Sequence, residues 1–181
     1  MVKSKVTGES ERANALELLK SEHQEVTSLF DELASAEPAE QEVLSEEICQ
    51  KLTVHAQIEE EILYPAAKDA LEADDADLVN EAEVEHASAK DLIAKIEGMD
   101  VSDESYKATL KALSEYVKHH VQEEEDELFP LLEASDLDLD EMGTQLAERK
   151  AELLADSDVE AADDESAVDL HDDTEAEGEG D

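Results

Sequence analysis

His55-Ala-Gln-Ile-Glu59-Glu-Glu-Ile-Leu-Tyr-Pro65 returns 65 residues later as His120-Val-Gln-Glu-Glu124-Glu-Asp-Glu-Leu-Phe-Pro130. In each copy a histidine precedes a glutamate by four positions, and an aromatic-proline pair closes the segment. Positions four apart on a helix lie one above the other on one face, so each copy sets an imidazole beside a carboxylate. That is a metal-ligand pair if the face points inward. The apolar residues around it decide the direction.

Apolar periodicity divides the chain into four strong segments. The first carries Leu16, Leu19, His23, Val26, Phe30 and Leu33, stepping by three and four. After Glu37-Pro38 the second carries Leu44, Ile48, Leu52, His55, Glu59 and Ile62. The third follows the Asp74-Asp75 break with Val79, Ala82, His86, Ala89, Ile93 and Ile96, and Gly98 ends it. The fourth opens at Ser102 and carries Leu110, Leu113, Val117, His120, Glu124 and Leu128. Short connections make neighbours antiparallel, so the pattern predicts an all-α, up-down-up-down four-helix bundle. The stretches 13–67 and 76–132 read as an internal duplication, with Glu22-His23 matching Glu85-His86. A weaker periodicity (Leu139, Met142, Leu146, Leu153), interrupted by Gly143, predicts a capping helix within 134–155. The expected layout is therefore an N-terminal extension over 1–12, a bundle over 13–133, that cap, and a disordered acidic tail over 156–181.

The net charge is −41, and its placement matters more than its size. The tail from Asp156 onward contributes 13 of those charges, which leaves −28 on residues 1–155. Self-repulsion on that scale opposes a compact state unless salt screens it, and at molar salt the Debye length falls to about 3 Å. A high-salt cytoplasm accounts for this most simply; a cationic partner is the second explanation. Nucleic acid is disfavoured, because phosphate contacts need a basic face. No apolar run reaches the roughly 18 residues of a membrane span, and the first residues lack the apolar core of a secretory signal. A single cysteine, Cys49, excludes an internal disulfide framework and suits a reducing cytoplasm.

Each segment places one histidine on its apolar seam near mid-length. One seam histidine is ordinarily a core residue satisfied by a nearby carbonyl; four at a common level are a different matter. Glu59 and Glu124 share the seam, with no Lys or Arg at those positions to neutralise them. Burying each unpaired would cost several kcal/mol out of a total stability of about 5–15 kcal/mol. Metal cations neutralise both and use the imidazoles as well. Imidazole and carboxylate without thiolate suit Fe, Mn or Zn. Four His and two Glu exceed one tetrahedral zinc, and fit a two-metal centre in which each Glu bridges both ions.

The segments EHQEVTSLFDEL, HAQIEEEILYP, EHASAKDLI and HVQEEEDELFP resemble the hemerythrin-like, or HHE cation-binding, domain family over about residues 13 to 133. That resemblance implies a four-helix bundle around a non-haem di-iron site, with His23, His55, Glu59, His86, His120 and Glu124 as the iron ligands. It also implies O2, NO or peroxide as the small ligand, in oxygen or iron sensing or in stress defence. The oxygen-carrying hemerythrins have a second His four residues from the one on the third helix. Ala82 and Lys90 stand at those places here, and Glu124 stands where those proteins use Asp. Glu83, one turn before His86, or water would fill the gap. A more anionic site stabilises ferric iron and weakens reversible oxygen carriage, which favours sensing, defence or iron handling over transport. Three functions stay open: a non-enzymatic di-iron protein binding O2 or NO; a di-iron oxidoreductase reducing peroxide, O2 or NO; and a metal-free interaction bundle.

Other polar residues are set aside. His119 lies about 100° round the helix from His120, and its counterpart in the first copy is Val54. His171 belongs to the tail. Glu60, Glu61, Glu123 and Glu125 are expected to form a solvated acidic face, and Tyr64 and Phe129 to pack the bundle end, with Tyr64 able to hydrogen-bond near the site. Cys49 is read as a small buried side chain.

Overall fold

A computed structural model describes residues 14–167, with side chains described as far as Ser157. Among the described residues every regular element is helical. Helix α1 spans Ala15–Leu33, and Asn14 caps it by accepting the Leu16 N–H through its side chain at 3.0 Å. Helix α2 spans Pro38–Ile58 behind a Glu37/Glu40 capping box, with Pro38 in the first turn, where its missing N–H costs nothing. It continues without a break through a wide π-helical turn, Glu59–Leu63, into α3, Tyr64–Ala70. Helix α4 is Ala76–Glu97; Gly98 caps it with φ −88°, so no left-handed residue is used there. Helix α5, Tyr106–Glu123, repeats the earlier device: a π turn over Glu124–Leu128, then α6 over Phe129–Glu133. The last element is α7, Leu139–Ala167.

These elements form five rods. The start of α1 (Leu16, Leu19) packs with the end of the second rod (Leu63, Tyr64), the start of α4 (Val79, Ala82) and the end of the fourth (Phe129, Leu132). A second apolar cluster joins Val26, Phe30 and Leu33 to Ile48 and Leu52, Ile93 and Ile96, and Leu110, Leu113 and Val117. Starts meet ends in both clusters, so sequential rods run antiparallel. His23, His55, His86 and His120 fall on the four rods between these two clusters, and all four are buried.

Two boundaries differ from the sequence reading. The fourth rod begins at Tyr106 instead of Ser102, because the Asp100 carboxylate accepts the Ser102 N–H at 2.8 Å and holds a turn there. The expected cap over 134–155 is a longer helix that runs to Ala167, past the point where an acidic tail was expected to begin. A helix already formed adds further residues at far lower cost than it takes to start one, so it runs on through a charged stretch. It packs along α1 and α2, burying Met142 and Leu146. The expected extension 1–12 lies outside the described residues, as do 168–181 with His171. Among the described residues no helix is long and apolar enough to cross a membrane.

Candidate metal centre

The two π turns set the geometry. Proline has no N–H, and its ring crowds the carbonyl four residues back, so Pro65 and Pro130 oppose regular α-helix just ahead of them. The chain responds by widening one turn. The Tyr64 N–H reaches back five residues to the Glu59 carbonyl, and the Phe129 N–H likewise to that of Glu124. The extra residue shifts the phase of all that follows. On an unbroken α-helix, Tyr64 would stand about 140° round from Glu59; across the wide turn it returns to the same face. Leu63 and Tyr64 are therefore fully buried where the sequence pattern expected Ile62, which is only half-buried. Such π turns within helices are frequent at functional sites.

At the bundle's waist the imidazoles meet in pairs. His23 Nε2 lies 3.1 Å from His55 Nε2, and His86 Nε2 lies 3.0 Å from His120 Nε2. Glu59 Oε2 sits 3.2 Å from His55 Nε2 and 3.4 Å from His86 Nε2, between the two pairs. Glu124 Oε2 does the same, 3.4 Å from His23 Nε2 and 3.6 Å from His120 Nε2. Glu59 is 0% exposed and Glu124 2%, yet both Glu59 oxygens and Glu124 Oε2 lack a hydrogen-bond partner. Buried carboxylate oxygens are costly to leave unpaired.

The outer nitrogens explain why the inner ones converge. Each Nδ1 faces its own carboxylate: His23 with Glu125 at 2.8 Å, His55 with Glu22 at 2.7 Å, His86 with Glu60 at 3.1 Å and His120 with Glu85 at 2.9 Å. An Nδ1–H donated outward leaves the Nε2 lone pair directed inward, the usual arrangement for a metal-bound histidine. Two such lone pairs 3 Å apart repel unless a cation lies between them. Donors about 2.1 Å from one ion and at right angles stand about 3.0 Å apart, which is close to the spacing found. The donor set fits two metal ions, one per histidine pair, with Glu59 and Glu124 between them. Lysines secure part of the outer ring: Lys150 of α7 donates to Glu22 at 2.7 Å and Lys90 to Glu60 at 2.6 Å.

With no cation present, the buried groups shift one another's protonation. Burial pulls the His55 pKa down, but Glu59, Glu22 and Glu124 more than offset it and raise it to about 9. Burial opposes the charge on Glu124, yet its contact with His23 and the charges of His120, His23 and His55 hold it down at about 2. Tyr64 is raised well above the ordinary phenol range by burial and by Glu59 and Glu124.

The structure brings together all six predicted ligands in two groups sharing Glu59: His23, His55, Glu59 and Glu124, and Glu59, His86 and His120. Glu83 does not join them. Its side chain is 44% exposed and bonds Lys68 at 2.7 Å on the outside of the bundle. The expectation of a solvated acidic face holds for Glu61, which pairs with Arg149, and for Glu123, beside the exposed His119. It fails for Glu60 and Glu125, which hold His86 and His23. The signal was in the sequence: each directly follows a seam glutamate, just as Glu22 and Glu85 directly precede a seam histidine. Tyr64 also belongs to the site, donating to Glu124 Oε1 at 2.9 Å and lying 3.2 Å from His86 Nε2. Its counterpart Phe129 stacks on His23, centroids 5.9 Å apart. Cys49 is buried, and burial with Glu97 and Glu46 pushes its thiol up to about 12, so it is no nucleophile. A cavity of about 40 Å³ borders the four imidazoles, walled by Val26, Leu52, Ala89, Ile93 and Val117.

Comparison with known proteins agrees with this geometry. The hemerythrin HHE cation binding domain matches residues 14–132. A crystal structure of a hemerythrin HHE cation binding domain-containing protein from Mycobacterium kansasii superposes with a TM-score of 0.66. It is 25% identical, and the match covers 78% of this chain and 87% of that one. A protein from Nostoc sp. (strain PCC 7120) named a DNA nickase is 31% identical over 118 residues, 64% of this chain. The match spans only 32% of that longer relative.

Proposed function

The chain belongs to the hemerythrin HHE cation-binding domain family, and from that premise we propose that it holds two iron ions and uses them to bind or sense O2 or NO. His23 and His55 would hold one ion and His86 and His120 the other, with Glu59 and Glu124 shared between them. The observation that carries the reading is the pair of convergent Nε2 couples beside buried carboxylate oxygens that have no hydrogen-bond partner. Mn or Zn would satisfy the same donors; iron is favoured by the family. Bound iron would supply redox-active open positions for a small ligand.

The protein's own groups set the conditions for that chemistry. Glu22, Glu60, Glu85 and Glu125 orient the imidazoles and raise their basicity. The apolar walls of the cavity keep water scarce at the ring edges, and its volume admits a molecule of a few atoms. This supports O2, NO or peroxide over any larger substrate. A site with fewer imidazoles than the oxygen carriers have favours the ferric state, hence sensing, stress defence or iron handling rather than oxygen transport. Reduction of peroxide, O2 or NO at the same centre is the second reading, carried by the same cavity. Nickase activity is not transferred from the Nostoc relative, since a net charge of −41 repels a phosphate backbone. We place the protein in a cytoplasm of high salt, where its acidic surface is screened.

The test is metal content and optical spectra of protein produced with added iron. Two irons per chain, with a spectrum that changes when the reduced protein meets O2 or NO, is the expected result. A persistent adduct indicates binding, and bleaching to a ferric form with consumption of peroxide indicates turnover. Less than one metal per chain, with folding undisturbed in His55→Ala/His120→Ala, would overturn the proposal.

A further inference from the structure

We propose that a third divalent cation binds outside the bundle core, at Glu85, His119 and Glu123 on α4 and α5, and that ions enter the buried centre from there. The inference rests on the two-metal reading above and gives that centre a point of loading.

The three side chains converge from two helices. His119 Nε2 lies 3.3 Å from Glu123 Oε1, one turn further along α5, and 3.6 Å from Glu85 Oε1 on α4. Donors about 2.1 Å from one ion at a tetrahedral angle stand about 3.4 Å apart. Each of the three residues offers a ligand atom within 4.8 Å of those of the other two. An imidazole with two carboxylates suits Fe, Mn or Zn, as the inner donors do. The His119 side chain is 62% exposed, so an ion held there keeps positions open to water and can leave again. Asp77, Asn80 and Glu81 border the same hollow, and among the described residues no Lys or Arg does.

The second observation is the way in. A narrower hollow of about 10 Å³ shares Glu81, Glu85 and Glu123 with the outer one and reaches His120 and Glu124. That volume is on the scale of one water-sized particle. Glu85 spans the two, with Oε1 toward His119 and Oε2 2.9 Å from His120 Nδ1. At the inner end stands Glu124, buried, with its Oε2 lacking a hydrogen-bond partner. A cleft lined by one sign of charge between low-dielectric walls concentrates the opposite ion and speeds its arrival.

The duplication supplies the contrast. Glu81, Glu85, His119 and Glu123 correspond to Leu18, Glu22, Val54 and Ile58 in the first half. Val54 and Ile58 are buried, Leu18 packs into the first apolar cluster, and α7 sets Lys150 on Glu22. One half of the bundle is closed by apolar side chains and a lysine; the other turns three donors to solvent.

Dialysis against Zn2+ at fixed high salt should give three ions per chain for the wild type and two for His119→Ala. In an NMR titration the third equivalent should move the His119 imidazole resonances. Metal-free protein mixed with Fe2+ should fill its centre about tenfold more slowly in His119→Ala/Glu123→Gln. Glu115→Gln, which removes the same charge from an exposed position elsewhere on α5, should fill at the wild-type rate. The wild-type NMR titration alone decides the third site should the variants not fold. Two Zn2+ per wild-type chain, or a third that leaves His119 unmoved, would overturn the third site and leave the two-metal reading standing. An unchanged rate of filling would overturn the loading role. Wild-type protein that takes up no metal would overturn this proposal and the two-metal reading together.

Discussion

Replacing Glu59 by leucine should move the metal-free and metal-loaded proteins in opposite directions. Glu59 is fully buried, neither of its oxygens is hydrogen-bonded, and it is shared by both ligand groups. Without metal, an unsatisfied buried group costs about 1–3 kcal/mol, and an apolar side chain of similar size removes that cost. The comparison belongs at pH 9, close to the raised pKa of His55. There the imidazole gives up its proton at little cost, so the variant is not left with an orphaned buried cation. Unfolding temperature should rise by about 2–4 °C per kcal/mol for a chain of this size. With metal the sign reverses. Loss of even a supporting group at a metal site costs about 10–100-fold in affinity, and loss of a shared ligand should cost no less at either ion. Thermal melts of chelated and iron-loaded samples at fixed salt, with metal content measured alongside, give both numbers. A variant destabilised when metal-free, yet retaining the wild-type gain from iron, would refute the reasoning, because Glu59 would then be a structural residue.

Three further outcomes are expected. For the metal-free protein, His55 titrates near 9 when folded and 6.5 when unfolded, so its contribution is complete below about pH 6.5 and lost as pH rises through 9. Glu124, at about 2 against 4.5, contributes above about pH 4.5 and loses its effect as pH falls through 2. Metal-free stability should therefore peak between these limits in a pH series of melts, with iron removing the alkaline decline; a maximum at pH 9 would contradict the assignment. Lys150→Met frees Glu22, and through it His55; iron affinity should fall about tenfold, with a stability loss under about 1 kcal/mol because the lysine is partly exposed. Competition with a chelator measures this, and Arg149→Met, which touches only the exposed Glu61 and Glu152, should leave affinity unchanged. Finally, the unfolding temperature should climb steadily from about 0.1 M to 1 M salt as the Debye length shrinks from about 10 to 3 Å; a flat response would remove the argument for salt adaptation.

The helical character, the antiparallel order and the inward direction of the seam histidines were legible because each rests on local periodicity. Four histidines at one level could be aligned from spacing alone. The carboxylates bonded to Nδ1 were harder to see. Glu60 and Glu125 sit one step off the seam, where a pattern of threes and fours reads solvent, and their role depends on which rod lies opposite. Tyr64 was read as bundle-end packing able to hydrogen-bond near the site, and it does both. The seam had been carried from Glu59 to Ile62 at the α-helical step, and the wide turn breaks that step. Helix α7 ran longer than expected because a helix once started propagates into a charged stretch that would not nucleate one. Glu83 was offered, with water as the alternative, for its spacing from His86, but Lys68 on the neighbouring rod draws it outward.

The π turns also bear on how relatives of this chain are compared. Each is in effect an insertion that the helix has absorbed without a loop: deleting one residue between Glu59 and Tyr64 would restore a regular helix. Closing the turn with every residue kept would instead rotate everything beyond by about 100°, taking Leu63 and Tyr64 out of the interior. An alignment would record only a one-residue gap in a stretch of glutamates, where gap placement is arbitrary. Two proteins that align well through this region can thus present different residues to their metals, and the distance from the seam glutamate to the proline, six residues in both copies here, is the quantity that tells them apart.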